Sequence, residues 1–146
     1  MIVVPDASVI LKWVLEKDEG KDMENAFALL DAVHAERLEV RLPSLWRYEV
    51  GNVLGLKQPR MAGTLMSALL SYEFEETPLG TEYCLDVLQH MQEVKGVTFY
   101  DSAYHVLALH TKGQYLTADA AYVRRASEKG HVALISDWHP PSVKRT

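Results

Sequence analysis

Short apolar runs alternate along this chain with longer stretches of helical periodicity, and this alternation restricts the fold more than any other feature. Residues 2–4 are fully apolar, as expected for a parallel strand that is buried on both faces. Apolar positions between residues 21 and 38 recur at spacings of three and four, which predicts an amphipathic helix. Because helices separate the predicted strands, we expect an α/β chain with three layers, α/β/α, around a central and mainly parallel sheet.

The same two patterns divide the whole chain into predicted elements. Strands are predicted at residues 2–4, 40–42, 73–77, 114–117 and 132–135. Helices are predicted at residues 9–15, 21–38, 45–56, 61–71, 81–94, 101–110 and 120–129. Ser44 is expected to cap the third of these helices, and Lys112 with Gly113 is expected to close the helix that Asp101 opens.

The length and the composition favour one domain. A chain of 146 residues with 48% hydrophobic residues has enough apolar side chains for one full core and too few for two. We expect one domain at residues 1–139 and a short C-terminal tail at residues 140–146, which begins with Pro140 and Pro141. No apolar stretch approaches the ~20 residues that span a bilayer, and a signal peptide is not evident, so we expect a cytoplasmic protein without a membrane partner.

Several kinds of site are excluded by what this sequence lacks. Cys84 is the only cysteine, which excludes an internal disulfide and a thiolate metal cluster, and its neighbours favour a small core residue. His105 and His110 are five residues apart, which does not fit the one-face geometry of a zinc protease helix, so surface or core positions are favoured for both. The Gly-x-Ser-x-Gly motif and phosphate-binding glycine loops are absent as well.

Four acidic residues stand where a parallel fold can bring them together. Asp6 follows the first strand, Asp119 follows a later strand, and Asp101 opens a helix. Glu49 lies one turn inside its helix. Ligands of parallel sheets bind beyond the carboxyl ends of the strands, so we expect these acids to meet at that edge. Aspartate is also among the best N-cap residues, and capping alone would account for Asp101 or Asp119 taken singly.

A cluster of carboxylates predicts a particular kind of chemistry. Carboxylate oxygens without histidine or cysteine ligands favour hard cations such as Mg²⁺ or Mn²⁺. Such a cation lowers the pKa of a bound water for in-line attack on phosphorus, and a second ion can stabilise the leaving oxygen. Hydrolysis of a phosphodiester by this route leaves 5′-phosphate and 3′-hydroxyl ends and needs no side-chain nucleophile. The 2′-hydroxyl takes no part, so this chemistry by itself does not select RNA.

The net charge of -5 at pH 7 is unusual for a protein that binds nucleic acid. A site that takes up four of the acids would leave the remainder of the chain close to neutral. Basic residues recur without a dense run, at Lys12, Arg41, Arg47, Lys57, Arg60, Arg124, Arg125, Lys129, Lys144 and Arg145. Most of them are expected on the solvated surface.

The segments around the four acids resemble the successive acidic motifs of PIN-domain proteins, and most of all those of the VapC-like toxins of prokaryotic toxin–antitoxin pairs. In chain order they are VPDASVILKW at residues 4–13, PSLWRYEVGNVL at residues 43–54, YDSAY at residues 100–104 and LTAD at residues 116–119. The match runs from the first predicted strand almost to the last. Any one of these motifs is weak evidence, whereas four in the right order are strong evidence.

The resemblance assigns roles by position. Asp6, Glu49 and Asp101 resemble the three core metal-site acids of the family, and Asp119 resembles its more variable fourth acid. Ser8 and Asn52 fit polar supporting positions, with a helix-start hydroxyl and a buried amide as the alternatives. Thr117, two residues before Asp119 on the same strand face, is placed to orient a water or a neighbouring carboxylate.

The resemblance also implies an activity and partners. It implies a compact fold and a Mg²⁺- or Mn²⁺-dependent endoribonuclease, the toxin of a type II toxin–antitoxin system, which forms a homodimer and is held inactive by a cognate antitoxin. Apolar faces that could serve dimerisation contain Phe27, Met61, Leu65 and Leu69, although an ordinary core would account for them too. The alternative function is a catalytically weak PIN-like module that binds RNA or a protein partner.

Overall fold

The computed structural model describes residues 1–15 and 20–142 of the chain. Within these residues the strands are β1 (Ile2–Pro5), β2 (Glu39–Pro43), β3 (Glu75–Thr77), β4 (Gln114–Thr117) and β5 (Val132–Leu134). The helices are α1 (Ala7–Ile10), α2 (Lys21–His34), α3 (Trp46–Lys57), α4 (Ala62–Leu70), α5 (Thr81–Glu93), α6 (Phe99–Thr111) and α7 (Ala120–Ala126). Short 3₁₀ turns follow at Leu11–Trp13, Ser127–Lys129 and Ile135–Asp137. The predicted alternation of strands and helices is confirmed.

The strands form one parallel sheet in the order β3-β2-β1-β4-β5. The chain builds the sheet outward from β1 to β3 and then returns to the other side of β1 with β4. The strand order therefore reverses between β1 and β4, which is where open parallel sheets bind ligands. Pro5 pairs with Leu116 there, and the Asp6 amide donates a hydrogen bond of 3.0 Å to the Leu116 carbonyl.

The three-layer α/β/α arrangement is confirmed. Helix α6 packs across β1, β2 and β4, and α5 packs on α6. Residues 102–108 of α6 are buried without interruption, which explains why this helix is apolar on most of its surface. Val3 and Val4 of β1 are fully buried, as expected for a strand covered on both faces. The three tryptophans, Trp13, Trp46 and Trp138, all belong to the core.

The starts of two helices differ from the prediction. Ser44 does not cap α3, because the N-cap position is occupied by Leu45, which makes no side-chain capping hydrogen bond. The end of α6 is as predicted, because Lys112 is the C-cap, with φ 56°, and the Gly113 amide donates a hydrogen bond of 2.9 Å to the Ala108 carbonyl. Helix α6 also begins two residues earlier than predicted, at Phe99, with Thr98 as its N-cap. Asp101 is therefore the third residue of the helix and does not open it.

Gly113 is required for a different reason, which is the close approach of the first strand. A Cβ atom at this position would lie 2.7 Å from the Ile2 carbonyl oxygen and 2.9 Å from Ile2 Cγ2. Substituting Gly113 by alanine is expected to lower the free energy of unfolding by about 1–3 kcal/mol, measured by urea titration. Gly55→Ala is the matched control, because a Cβ there meets nothing within 4 Å and alanine favours the helix. Equal stability of the two variants would contradict this account.

Several further expectations concern the ends and the surface. No helix in the described part of the chain is long and apolar enough to cross a membrane. Residues 140–142 adopt no helix or strand, while residues 143–146 of the predicted tail, with Lys144 and Arg145, lie outside the described residues. Cys84 is only partly buried, and its thiol lies 3.5 Å from the Leu79 carbonyl oxygen. The division into one domain at residues 1–139 and a tail stays a prediction.

Candidate active site

A cavity of about 190 Å³ lies at the carboxyl edge of the sheet, where β1 and β4 end side by side. It is lined by Asp6, Ala7, Ser8, Glu49, Asp101, Thr117 and Asp119. The four acids that the sequence singles out are thus brought together from four separate segments of the chain. The fold, and not any local motif, creates this acidic cavity.

A larger cavity, of about 530 Å³, lies between the start of α5 and the end of α6. Its described lining residues do not include any of the four acids. Two of its lining side chains already contact each other, because His110 Nε2 lies 3.0 Å from Asp86 Oδ2. The concentration of acidic groups, and not the size of the cavity, identifies the candidate site.

Asp6 is the most deeply placed of the four acids, with 5% of its surface exposed. Its Oδ1 accepts hydrogen bonds from the Ser8 hydroxyl and from the amides of Ser8, at 3.0 Å, and Val9, at 3.4 Å. Its Oδ2 accepts a hydrogen bond of 2.8 Å from the Tyr115 hydroxyl. Burial raises the pKa of the Asp6 carboxyl, and the hydroxyls of Ser8, Thr117 and Tyr115 oppose that increase. Asp6 is therefore held in one orientation.

Glu49 lines the cavity from the first turn of α3 and is partly buried. The Tyr104 hydroxyl donates a hydrogen bond of 2.7 Å to its Oε1. Burial raises the pKa of Glu49, and the negative charges of Asp6 and Asp101 raise it further. The charges of Asp6 and Asp101 thus act on Glu49 across the cavity.

The N-cap explanation for Asp101 is wrong. The Thr98 hydroxyl caps α6 by accepting a hydrogen bond of 3.1 Å from the Asp101 amide, so the Asp101 carboxylate is not the cap. Burial, followed by the charges of Asp6 and Asp119, raises the pKa of the Asp101 carboxyl to about 6. An aspartate held among other carboxylates in this way gains from a cation placed between them.

Asp119 is both a helix N-cap and a residue of the acidic cavity. It is the N-cap of α7, because its Oδ1 accepts a hydrogen bond of 3.1 Å from the Tyr122 amide. It also lines the acidic cavity and is the most exposed of the four acids. The Asp119 amide donates a hydrogen bond of 3.1 Å to the hydroxyl of Thr117, which is fully buried. Thr117 thus positions the backbone that carries Asp119.

Of the two predicted supporting residues, the structure brings only Ser8 to the cavity. The Ser8 hydroxyl donates to Asp6 and accepts a hydrogen bond of 3.1 Å from the Ala118 amide, so it ties α1 to the segment after β4. Asn52 is exposed and is not among the residues that line the cavity.

Two tyrosines near the acids were missed by the sequence analysis. Tyr104 and Tyr115 are buried, their rings are stacked at a centroid distance of 6.0 Å, and their hydroxyls hold Glu49 and Asp6. A signal was present for each of them. Tyr104 lies three residues after Asp101 on one helix face, and Tyr115 lies on the same strand face as Thr117.

Removing either of these hydroxyls is expected to weaken Mn²⁺ binding by about 10–100-fold, which is the usual effect of losing a group that orients a metal ligand. The changes are Tyr104→Phe and Tyr115→Phe, and the measurement is the Mn²⁺ dissociation constant from calorimetric titration. Tyr83→Phe is the matched control, because the buried Tyr83 hydroxyl donates to the Ala103 carbonyl. Binding of Mn²⁺ by Tyr104→Phe and Tyr115→Phe as tight as by the Tyr83→Phe protein would refute the orienting role.

The chemistry of the cavity suits a hard divalent cation, although its side chains are not in coordinating positions. Among the residues that the structure describes, no three acidic, histidine or cysteine side chains already converge closely enough to hold a metal ion. The donors present are nevertheless carboxylate and hydroxyl oxygens, which Mg²⁺ and Mn²⁺ prefer. Burial raises the pKa values of Asp6, Glu49 and Asp101, and neighbouring carboxylate charges add to this increase at Glu49 and Asp101, so a cation among these acids would favour their ionised forms.

Comparisons with known proteins identify the fold. No family model matches the chain, and no curated protein matches it. The chain is similar to the crystal structure of PAE2754 from Pyrobaculum aerophilum, with 24% identity, a TM-score of 0.61 and coverage of 91% of this chain and 83% of that one. It is similar to VapBC2 from Rickettsia felis bound to a DNA fragment from their promoter, with 12% identity, a TM-score of 0.66 and coverage of 92% and 97%. It is also similar to FitAcB from Neisseria gonorrhoeae, with 17% identity, a TM-score of 0.63 and coverage of 92% and 96%. The chain therefore shares its α/β/α fold with these three structures, which is the fold that the resemblance of its motifs implied.

Proposed function

We propose that this chain is a metal-dependent endoribonuclease that acts on cytoplasmic RNA as the toxin of a toxin–antitoxin pair. One observation carries the proposal: Asp6, Glu49, Asp101 and Asp119 line one cavity at the point where the strand order reverses. Burial together with neighbouring carboxylate charge raises the pKa of Glu49 and of Asp101, which supports a site for cations, and the fold shared with VapBC2 and FitAcB supports the class of protein.

In this proposal some of the protein's residues bind the cation, and others hold those residues in place. Asp6, Glu49 and Asp101 would hold Mg²⁺ or Mn²⁺, and Asp119 would complete or support the site. The bound cation would supply an activated water and would neutralise charge on the scissile phosphate. Tyr115 and Tyr104 keep Asp6 and Glu49 in place, while Ser8 and Thr117 fix the backbone on either side of the cavity. The carboxylates alone would repel RNA.

Purified protein incubated with single-stranded RNA tests the activity. Cleavage is expected with Mn²⁺ or Mg²⁺ and not with EDTA, and the products should carry 5′-phosphate and 3′-hydroxyl ends, which end-specific enzymatic labelling distinguishes. Products with a cyclic phosphate would show that the 2′-hydroxyl attacks the phosphorus and would contradict a mechanism in which a metal-activated water attacks. An absence of cleavage with any RNA would favour the alternative, a catalytically weak module that binds RNA or protein.

Binding of the cation itself is expected to stabilise the protein. At a Mn²⁺ concentration about 100 times the dissociation constant, the free energy of unfolding should rise by about 2.7 kcal/mol, or roughly 10 °C in Tm. Differential scanning fluorimetry with and without EDTA measures this shift, and no RNA is needed. The shift should disappear in Asp101→Asn and persist in Asp31→Asn, which removes an exposed acid of α2. A shift of equal size in both variants would contradict a cation site in the acidic cavity.

We also propose a cognate antitoxin and a second copy of the chain as partners, supported by the fold shared with VapBC2 and FitAcB. The predicted apolar faces are partly available for such contacts, because Phe27 is 44% exposed and Met61 is 48% exposed. Leu65 is partly buried, and Leu69 is fully buried, so of the two interpretations of Leu69 the ordinary core holds and the open face does not. Size-exclusion chromatography with light scattering tests the dimer.

A further inference from the structure

A second cavity, of about 210 Å³, adjoins the acidic cavity, and Ser8 lines both. Its described lining includes two lysines, Lys12 and Lys57, and apolar side chains such as Leu11 and Val53. The acidic cavity and this lysine cavity therefore share a wall. An elongated ligand that occupies one of them can extend into the other.

The same two helical segments build both cavities. In the first segment, Ser8 faces the acidic cavity, and Lys12 follows one helical turn later, about 6 Å along the axis. In α3, Glu49 faces the acidic cavity, and Lys57 follows eight residues later on the same side, about 12 Å along the axis. Val53 lies between them and lines the lysine cavity. In α3 the acid Glu49 thus precedes Lys57, and in the first segment the N-cap Asp6 precedes Lys12.

This polarity fits a strand of nucleic acid better than a small ligand. The charge of a scissile phosphate in the acidic cavity would be balanced by a cation, but the neighbouring phosphate of the same strand needs a positive partner of its own. Two ammonium groups beside an apolar wall offer such a partner, and the wall can receive the sugar or base. The chain has a net charge of -5, so positive groups at this position matter more than they would on a basic surface.

We infer that the lysine cavity binds the phosphate next to the scissile phosphate of a single-stranded RNA, through Lys12 and Lys57. This inference rests on the proposed function and adds where the substrate strand leaves the acidic cavity. The two lysines are positioning residues: they hold the substrate and take no part in the bond-breaking step. Their effect should fall on KM and on Kd, with kcat unchanged.

The test measures RNA binding and its dependence on salt. The probe is a short fluorescein-labelled single-stranded RNA of mixed sequence, and an Asp101→Asn background keeps it intact during anisotropy titrations in Mg²⁺. Lys12→Gln and Lys57→Gln should each raise Kd by about tenfold. Each should also reduce the slope of log K against log salt by about 0.7, and the double variant by about 1.4. Lys12→Arg should retain the slope, because the charge is kept.

Lys112→Gln is the matched control, since Lys112 ends α6 just before β4 begins, at the opposite edge of the sheet from the acids. It should change neither Kd nor the slope. Unchanged Kd and slope in the Lys12→Gln, Lys57→Gln double variant would overturn the inference. That is also the result expected if the lysine cavity serves a protein partner. Circular dichroism spectra and unfolding curves establish that each variant is folded.

The outcomes separate this inference from the proposed function. Cleavage by the native chain with KM unchanged in both lysine variants would overturn the lysine cavity and leave the nuclease intact. Lysine-dependent RNA binding without any cleavage by the native chain would support the lysine cavity and overturn the nuclease. A native chain that neither binds nor cleaves the probe would overturn both.

Discussion

Replacing Asp101 by asparagine should reduce RNA cleavage by about 1000-fold, while the protein without metal becomes more stable. The loss of activity follows from removing one of the charged groups proposed to hold the cation, whose contribution to the reaction is several kcal/mol. Asparagine keeps the size of the side chain, and the capping of α6 is unaffected because Thr98 provides it. The same substitution therefore separates function from folding.

The gain in stability follows from the sign of the pKa shift of Asp101. Its pKa is raised from 3.8 to about 6, so the folded protein holds its proton more tightly than the unfolded chain. Stability falls as pH rises through this window, and at pH 7 the ionised carboxylate destabilises the folded state. A neutral amide removes that destabilisation. We expect the free energy of unfolding of Asp101→Asn to be about 1–2 kcal/mol higher at pH 7, allowing for partial solvent screening.

Cleavage assays in Mn²⁺ and urea titrations in EDTA measure the two effects of Asp101→Asn. Asp31→Asn on the exposed face of α2 is the control, and it should change neither quantity. Full activity in Asp101→Asn would exclude Asp101 from the site. A loss of activity together with a loss of stability would indicate a structural role for this carboxylate instead.

Acidification should destabilise the protein through His105 by about 3 kcal/mol between pH 6.5 and pH 4. This side chain is fully buried in α6, where its Nε2 donates to the Gly130 carbonyl, at 2.8 Å. Its Nδ1 accordingly accepts a hydrogen bond from the Tyr122 hydroxyl, at 2.7 Å. His90 lies on the other side of the same hydroxyl, at 2.9 Å. Of the surface and core positions predicted for His105, the structure shows the core position.

The direction of the effect follows from the environment of His105. Burial lowers its pKa from 6.5 to about 4, the bond to Gly130 opposes this, and His90, His131 and Lys129 lower it further. Below pH 6.5 the His105 imidazole is therefore protonated in the unfolded chain while it stays neutral in the folded protein. The contribution of neutral His105 is complete above pH 6.5 and is lost as pH falls towards 4. Asp101 acts in the opposite direction between about pH 4 and 6, and it partly conceals the effect in the native chain.

Urea titrations of Asp101→Asn across this pH range are expected to reveal the contribution of His105. The slope of the free energy of unfolding against pH should be about 1.4 kcal/mol per pH unit steeper than in a double variant that also carries His105→Phe. The slope is informative even if the second substitution lowers stability at every pH. NMR titration of the imidazole gives an independent measurement, and a His105 pKa near 6.5 would contradict the prediction.

Much of the fold was readable in the sequence because its signals are local. A buried parallel strand is a contiguous apolar run, so β1 and β4 were predicted to within one residue. Helix ends were less accurate, since α2 ends at His34 and not at residue 38. Tertiary contacts explain Gly113, whose neighbour Ile2 is more than a hundred residues away in sequence.

Only part of the candidate site could be predicted from the sequence. Asp6 and Asp119 follow strands directly, so parallel topology places both at one edge. Glu49 comes from a helix, and nothing local to it shows that Tyr104 and Asp6 lie beside it. The lysine cavity is still less visible, because Lys12 and Lys57 are 45 positions apart and are brought together only by the packing of two helical segments.

The sequence by itself determined the kinds of element, their order and the four acids at their ends, because periodicity and capping chemistry are properties of neighbouring residues. Only the tertiary structure decided which of those acids face one another. The strand order β3-β2-β1-β4-β5 sets β1 beside β4, and long-range pairing of this kind leaves no local pattern. Asp101 shows the difference most clearly: its sequence context fitted a cap and a site equally well, and the Thr98 hydroxyl decided between them by capping the helix itself.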